Sequence, residues 1–260
     1  MIETVVQVNL LADEVLRIQK NRLHPDQMGT AVKRFCLCTG IHGDELEGQY
    51  VAFLVAQRIK EHREYLQGIV DIYPGMNPLG IDSITRGIPA FDLDMNRLFP
   101  GNTDGDMNEF IASRIVADME GADLIMDIHA SNIYLTEVPQ IRINEITCER
   151  LMPFALRANV DFIWVHSNST VLESTFAYSM NSRNVPTLVV EMGVGMRLTK
   201  AYCEQLTDGI FVLLKDLGIW TGPTIEPRKP IVSAGYDDVE FLNASVSGIF
   251  VKTQEHGAML

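Results

Sequence analysis

Residues 33–64, KRFCLCTGIHGDELEGQYVAFLVAQRIKEHRE, carry the pattern that decides the fold. The short apolar run at residues 33–38 ends at Thr39 and Gly40, which is typical of a buried strand. Apolar residues then recur at helical spacing over residues 45–64 and predict a helix. A strand, a glycine-containing loop and a helix in this order indicate one unit of an α/β fold.

The same alternation of strand and helix continues along the chain. Further strands are predicted at residues 69–73, 123–128, 162–165 and 187–190. Further helices are predicted at residues 106–119, 150–158, 173–182 and 199–217. We therefore expect an α/β core with a mostly parallel central sheet, in which ligands gather at the carboxyl ends of the strands.

The composition changes after Gly218, where proline and glycine mark a linker. We divide the chain into an α/β domain over residues 1–220 and a linker with a small β segment over residues 221–260. The second part is too short to form an independent domain. We expect it to be either a truncated domain or a small β module that docks on the first.

The charge and composition exclude several classes of partner. The formal net charge is −13, which disfavours nucleic acid and anionic membranes. The N-terminus lacks the features of a signal peptide, and no apolar run approaches the roughly 20 residues that span a bilayer. The four cysteines are too few for a disulfide scaffold and are predicted to be buried thiols. We predict a cytoplasmic protein without nucleic-acid or membrane partners, and the sequence leaves open whether it forms a homo-oligomer.

Two histidines and one glutamate form the clearest candidate site. His42 lies in the loop between the first strand and helix, Glu45 lies near the first turn of that helix, and His129 follows the strand at residues 123–128. Three protein ligands of this kind suit a catalytic zinc ion, because they leave a position for water or substrate. We predict one Zn²⁺ per chain. Asp127 either orients a histidine or faces the other side of its strand.

Glu191 directly follows the predicted strand at residues 187–190. A carboxylate beside a zinc-bound water can accept its proton and pass it to a leaving nitrogen. The alternative is that Glu191 caps a loop at the edge of the sheet. From the residues alone the two interpretations have equal weight.

The long segment at residues 76–105 is weakly periodic, and such loops are usually functional. It contains Arg86 and Arg97, which are suited to binding a carboxylate or a developing oxyanion. The alternative is that both arginines are exposed and pair with Asp92 and Asp94.

Taken together, these pieces resemble the succinylglutamate desuccinylase and aspartoacylase family of the zinc-carboxypeptidase-like superfamily. The matching pieces are Gly40-Ile41-His42-Gly43-Asp44-Glu45, Asn77-Pro78, Arg86, Asp94-Met95-Asn96-Arg97-Leu98-Phe99-Pro100-Gly101, Asp127-Ile128-His129 and Val190-Glu191-Met192-Gly193. They occur in the family's order and span residues 33–195. The resemblance implies a three-layer α/β core with a central mixed, mostly parallel sheet, followed by a short C-terminal β segment.

The resemblance also implies roles for individual residues. It makes His42, Glu45 and His129 the zinc ligands. Glu191 becomes the general base and acid, and Arg86 helps to polarise the scissile carbonyl. The substrate-binding candidates are Asn96 and Arg97 for the substrate carboxylate, together with Tyr178 and Arg183, whose spacing before Glu191 does not fit one family member cleanly. Tyr178 alternatively packs on its own helix.

The function predicted from these features is zinc-dependent hydrolysis of an amide. The enzyme would remove an acyl group from an N-acyl amino acid, a small anionic substrate. The alternatives are a zinc carboxypeptidase that acts on short peptides, a non-catalytic module that senses a ligand, and a partner-binding protein that uses the metal only for folding.

Overall fold

The computed structural model describes residues 1–27, 29–89, 91–167, 172–233, 238–240 and 242–258. Its strands are β1 (Ile2–Asn9), β2 (Val15–Leu23), β3 (Arg34–Thr39), β4 (Ile69–Tyr73), β5 (Leu124–His129), β6 (Glu137–Asn144), β7 (Phe162–His166), β8 (Thr187–Gly193) and β9 (Ile231–Ser233). Its α-helices are α1 (Glu47–Glu61), α2 (Pro78–Ser83), α3 (Met107–Met119), α4 (Cys148–Ala155), α5 (Phe176–Ser182) and α6 (Lys200–Asp216). In these residues no helix is both long and apolar enough to cross a bilayer.

All of these strands join one sheet in the order β1-β2-β4-β3-β5-β8-β6-β7-β9. The central strands β4, β3, β5 and β8 run parallel to one another. Antiparallel pairing occurs between β1 and β2, between β2 and β4, and between β6 and β8. The predicted α/β fold with a mixed, mostly parallel sheet is confirmed.

Helices cover both faces of the sheet because each central strand is apolar on both sides. In β3, Phe35 and Leu37 join one apolar cluster, whereas Cys36 and Cys38 join the other. Residues of α1, α4 and α6 pack in the first cluster, and residues of α3 and α5 pack in the second. The result is the expected three-layer arrangement of helices, sheet and helices.

Three strands were not predicted from the sequence, and all three lie outside the parallel centre. In β1 and β2 apolar residues alternate with charged ones, which is typical of strands with one solvated face. In β6 the apolar residues are only Val138, Ile141 and Ile143, and Pro139 weakens the signal further. The C-terminal segment, for which a small β element was predicted, contributes β9. This short strand pairs with β7 and extends the main sheet. The division of the chain at residues 220 and 221 stays a prediction.

A group of buried charges, here called the ion cluster, consists of Lys20, Arg22, Arg34, Asp71 and Asp118. Asp71 is fully buried and accepts hydrogen bonds from Arg22 at 2.8 and 2.7 Å and from Arg34 at 2.8 Å. Lys20 donates to Asp118 at 2.7 Å. These contacts connect β2, β3 and β4 to α3. They lie on the side of the sheet that β1 to β4 form.

Candidate functional site

The loop between β3 and α1 carries the first two candidate ligands into the interior. Gly43 lets it pass against α2, because a Cβ at this position would collide with the backbone of Gly80. The Gly43 amide donates to the carbonyl of Thr85 at 3.0 Å, which holds the long segment over the site. His42 and Glu45 are therefore almost fully buried, at 3% and 4% exposure.

The three candidate metal ligands meet at one point. Nδ1 of His42 lies 2.8 Å from Oε1 of Glu45, and Nδ1 of His129 lies 3.1 Å from Oε2 of Glu45. The two Nδ1 atoms are 3.2 Å apart. Two imidazole nitrogens that face each other beside a carboxylate form a donor set that fits a divalent ion such as zinc.

The outer nitrogen of each histidine faces a further carboxylate. Nε2 of His42 lies 3.1 Å from Oδ1 of Asp94, and Nε2 of His129 lies 3.0 Å from Oδ2 of Asp127. Such carboxylates fix the orientation of an imidazole and increase its basicity as a ligand. Asp127 therefore faces the site. Asp94 lies at the start of the Met95–Arg97 turn and was not predicted from the sequence to contact His42.

The pKa values of the candidate ligands are shifted because the glutamate and the histidines contact one another in the protein interior. Burial acts to raise the pKa of Glu45, but hydrogen bonds with His129 and His42 outweigh it and lower this pKa to about 2. Burial acts to lower the pKa of His129, but Asp127 and Glu45 together raise it well above its ordinary value. Glu45 is thus a carboxylate at neutral pH, as a metal ligand must be.

Glu191 reaches the same place from the neighbouring strand. In the parallel pairing of β5 with β8, His129 stands directly opposite Glu191. Burial raises the pKa of Glu191 to about 7, although His129 and Arg142 act in the opposite direction. A carboxyl group with a pKa near neutrality can both accept and return a proton, which is the property that a general base and acid needs.

The predicted residues of the long segment line the same cavity. Nη1 of Arg86 donates to Oε1 of Glu45 at 3.0 Å, and Nη2 lies 3.5 Å from Asp94. Oδ1 of Asn96 accepts a hydrogen bond from the Phe176 amide at 2.9 Å, which joins this segment to α5. Arg97 lines the cavity and donates to the carbonyl of Asn96 at 2.8 Å.

The two remaining substrate-binding candidates differ in position. Tyr178 lines the cavity, and its hydroxyl donates to Glu173 at 3.3 Å. Arg183 is not among the residues that line the cavity. Its guanidinium donates to the carbonyl of Ser179 at 2.9 Å and lies 3.4 Å from Glu120. The position of Arg183 therefore gives no support to a role in substrate binding.

The sequence did not predict Arg142, the arginine nearest to Glu191. Its Nη1 lies 3.4 Å from Oε1 of Glu191, its Nη2 donates to Glu137, and its guanidinium lies 5.6 Å from the ring centre of Trp164. Arg142 was not predicted as a site residue because the sequence did not predict strand β6, on which it lies. The alternation of Ile141 and Ile143 with polar residues was the only signal available for placing it.

The site opens into a cavity of about 1320 Å³. One end is lined by His42, Glu45, Arg86, His129 and Glu191. From there the cavity follows the face of β8 and β6 to the first residues of α4. Backbone contacts fix the loop that follows Glu191, here called the β8 loop (residues 193–196). Val194 donates to Glu47, Gly195 to the carbonyl of Ser131 at 2.8 Å, and Met196 to that of Asp44 at 2.7 Å.

Comparison with known proteins gives matches in sequence and in structure. The sequence model of the succinylglutamate desuccinylase/aspartoacylase catalytic domain matches residues 31–217. The chain is also 34% identical over 106 residues to N-alpha-acetyl-L-2,4-diaminobutyric acid deacetylase from Halomonas elongata. That match covers 40% of this chain and only 30% of the relative's length.

Two solved structures share the fold. One is a succinylglutamate desuccinylase/aspartoacylase from Rhodobacter sphaeroides, with a TM-score of 0.76 and 23% identity. The other is the product-bound ectoine utilization protein EutE (DoeB) from Ruegeria pomeroyi, with a TM-score of 0.76 and 19% identity. Each superposition covers 89% of this chain and 71% of the other. At these identities the likeness shows the fold.

Proposed function

This chain belongs to the succinylglutamate desuccinylase/aspartoacylase family, and from this premise we propose that it is a zinc-dependent hydrolase of N-acyl amino acids. One observation carries the proposal: Glu191 stands opposite His129 at the point where His42, Glu45 and His129 converge. The products would be a carboxylate and a free amino acid.

The proposed chemistry divides among the residues of the site. Zinc held by His42, Glu45 and His129 would supply Lewis acidity that favours ionisation of water and polarises the acyl carbonyl. Glu191 takes the proton from the attacking water and then delivers it to the leaving nitrogen. The high pKa of Glu191 supports this double role, because a weaker acid retains the proton long enough to return it.

Two groups on the long segment complete the proposed reaction. The guanidinium of Arg86 would donate hydrogen bonds to the oxygen on which negative charge develops, and its position in the cavity beside Glu45 supports this role. Asn96 and Arg97 bind the carboxylate of the amino acid, since a guanidinium can donate two parallel hydrogen bonds to it. This arrangement selects substrates in which a carboxylate lies close to the scissile amide.

The test is release of amine from N-succinylglutamate, N-acetylaspartate and a panel of N-acyl amino acids and dipeptides, with and without zinc. We expect zinc-dependent release from at least one N-acyl amino acid. The matched control is Glu204→Gln, which alters an exposed carboxylate on α6 and should leave turnover unchanged. Cleavage of the dipeptides alone would assign the protein to the peptidases, and zinc-independent turnover would contradict the proposal.

A further inference from the structure

The cavity is longer than a small N-acyl amino acid requires. Its volume of about 1320 Å³ exceeds the 300–1,000 Å³ typical of pockets for drug-sized ligands. Thr187, Val189 and Glu191 alternate along β8 and all line it. Since each strand residue rises about 3.3 Å, the end of the cavity at Thr187 is about 13 Å from Glu191. A substrate that fills this space is elongated.

The far end of the cavity contains an arginine that no carboxylate neutralises. Arg150 is partly buried and lines the cavity. Its Nη2 donates to the carbonyl and side-chain oxygens of Asn181 at 3.0 and 2.9 Å, and its Nη1 donates to Asn184 at 3.4 Å. In the described part of the chain no carboxylate lies within ion-pair distance of it. The asparagines fix the guanidinium but leave its charge unbalanced, in a protein whose net charge is −13.

Several hydrogen-bond donors at this end also lack acceptors. Nε of Arg150, Nδ2 of Asn144 and Nε of Arg142 are buried without a hydrogen-bond partner among the described residues. The Asn144 amide is held in place because its Oδ1 accepts from the Ile146 amide at 2.9 Å. A buried donor without an acceptor destabilises the folded protein, because it has lost its hydrogen bonds to water. Three such donors beside one cavity indicate a place that is built to receive acceptor atoms.

The carboxylates around the cavity leave this end open to an anion. Glu137 and Glu191 contact the Nη atoms of Arg142, on the side towards the metal ligands. Glu149 and Glu173 also line the cavity, but both are exposed, so solvent and salt screen their charges. A bound carboxylate is the simplest group that satisfies both the donors and the charge of Arg150.

We propose that Asn144 and Arg150, with Nε of Arg142, form a second subsite that binds a carboxylate at the far end of the substrate. The substrate is then an N-acyl amino acid whose long acyl chain ends in an acid. This inference rests on the proposed hydrolase function, since it places the amide at Glu191 and the terminal acid at Arg150.

The test compares binding of N-suberoylglutamate with that of its methyl ester at the end of the acyl chain. Calorimetry on the zinc-loaded Glu191→Gln protein measures binding without turnover. We expect the free acid to bind at least about tenfold more tightly than the ester, because only the acid offers a charged carboxylate to the guanidinium of Arg150. Arg150→Met should remove this difference.

The matched control is Arg157→Met, which alters an exposed arginine paired with Asp216 and should preserve the difference. Arg150→Gln also removes the charge, and it takes the place of Arg150→Met if that variant unfolds early. The subsite is overturned if the Glu191→Gln protein with Arg150 intact binds the acid and the ester equally, or binds neither. Failure of the proposed function is a separate result, because it is measured as absent amine release from short N-acyl amino acids by the unmodified protein.

Discussion

Two regions of this protein bury charged side chains, and they differ in how the charges are balanced. The ion cluster lies on β2, β3 and β4, where Asp71 is held by Arg22 and Arg34 and Asp118 by Lys20. The candidate metal site lies at the carboxyl ends of β3, β5 and β8. There His42, Glu45 and His129 direct their ligand atoms at one another.

The difference separates a structural charge cluster from a functional one. In the ion cluster the protein supplies its own cations. In the site the carboxylates outnumber the arginines: Glu45, Asp94, Asp127, Glu137 and Glu191 face Arg86, Arg97 and Arg142. When all of these groups are ionised and both histidines are neutral, as metal ligands are, the excess is two negative charges, which one divalent cation balances. Net charge and convergent lone pairs thus identify the site, whereas burial of charge alone does not.

The largest expected effect concerns turnover. Glu191→Gln should lower kcat by about 10²- to 10⁴-fold, because it removes the group that moves the proton. Bound zinc, measured by elemental analysis, should be unchanged, since Glu191 is not one of the converging ligands. Turnover at the native rate would remove Glu191 from the mechanism.

In the ion cluster the expected effect is on stability. Asp71→Ala should lower the free energy of unfolding by about 3–5 kcal/mol, because it leaves neighbouring cations buried without their partner. Chemical denaturation measures the change. The control is Asp216→Ala, which breaks an exposed ion pair with Arg157 and should cost less than about 1 kcal/mol. Equal losses in the two variants would show that burial does not distinguish these pairs.

A smaller effect is expected from the carboxylates that orient the histidines. Asp127→Asn should weaken zinc binding by about 10- to 100-fold, because the imidazole of His129 loses a charged partner. Competition with a chromophoric chelator measures this affinity. Asp118→Asn in the ion cluster is the control and should leave zinc affinity unchanged. If both variants bind zinc like the parent, Asp127 does not support the ligand.

The smallest effect is a pH dependence in the metal-free protein. Burial raises the folded-state pKa of Glu191 to about 7, from an ordinary value of 4.5. The folded state therefore binds the proton more tightly than the unfolded state, and stability falls as the pH rises through this interval. At pH 8 the metal-free Glu191→Gln protein should be more stable than the parent, by at most about 3 kcal/mol, and the difference should disappear near pH 4, below both pKa values. A difference that does not change with pH would contradict this assignment.

The sequence predicted the parts of the site that follow strongly apolar strands. His129 and Glu191 each come at or directly after a run of β-branched and aliphatic residues, and parallel strands place such positions along one edge of the sheet. The parallel centre of the fold was predictable for the same reason, since strands buried on both faces give continuous apolar runs.

The remainder depended on contacts between distant segments. Asp94 meets His42 across 52 positions of sequence, and no local pattern indicates that pairing. Arg142 lies on β6, which has polar residues on the face that lines the cavity and therefore lacks a clear strand signal. Because β6 lines the cavity with polar side chains, its sequence lacks the apolar run by which the other strands were predicted.

The anchoring of the β8 loop has a consequence for local opening. The amides of Val194, Gly195 and Met196 donate to Glu47, Ser131 and Asp44, which lie within two residues of the candidate metal ligands Glu45 and His129. Release of this loop from its acceptors would loosen the end of β8 next to Glu191, which the pairing of β8 with β5 otherwise holds beside His129. These amides should therefore exchange with deuterium as one cooperative unit with the site. A ligand that binds only when the β8 loop contacts its acceptors would slow the exchange of these amides in proportion to its occupancy. The exchange rates of these amides therefore measure how often the site is fully formed.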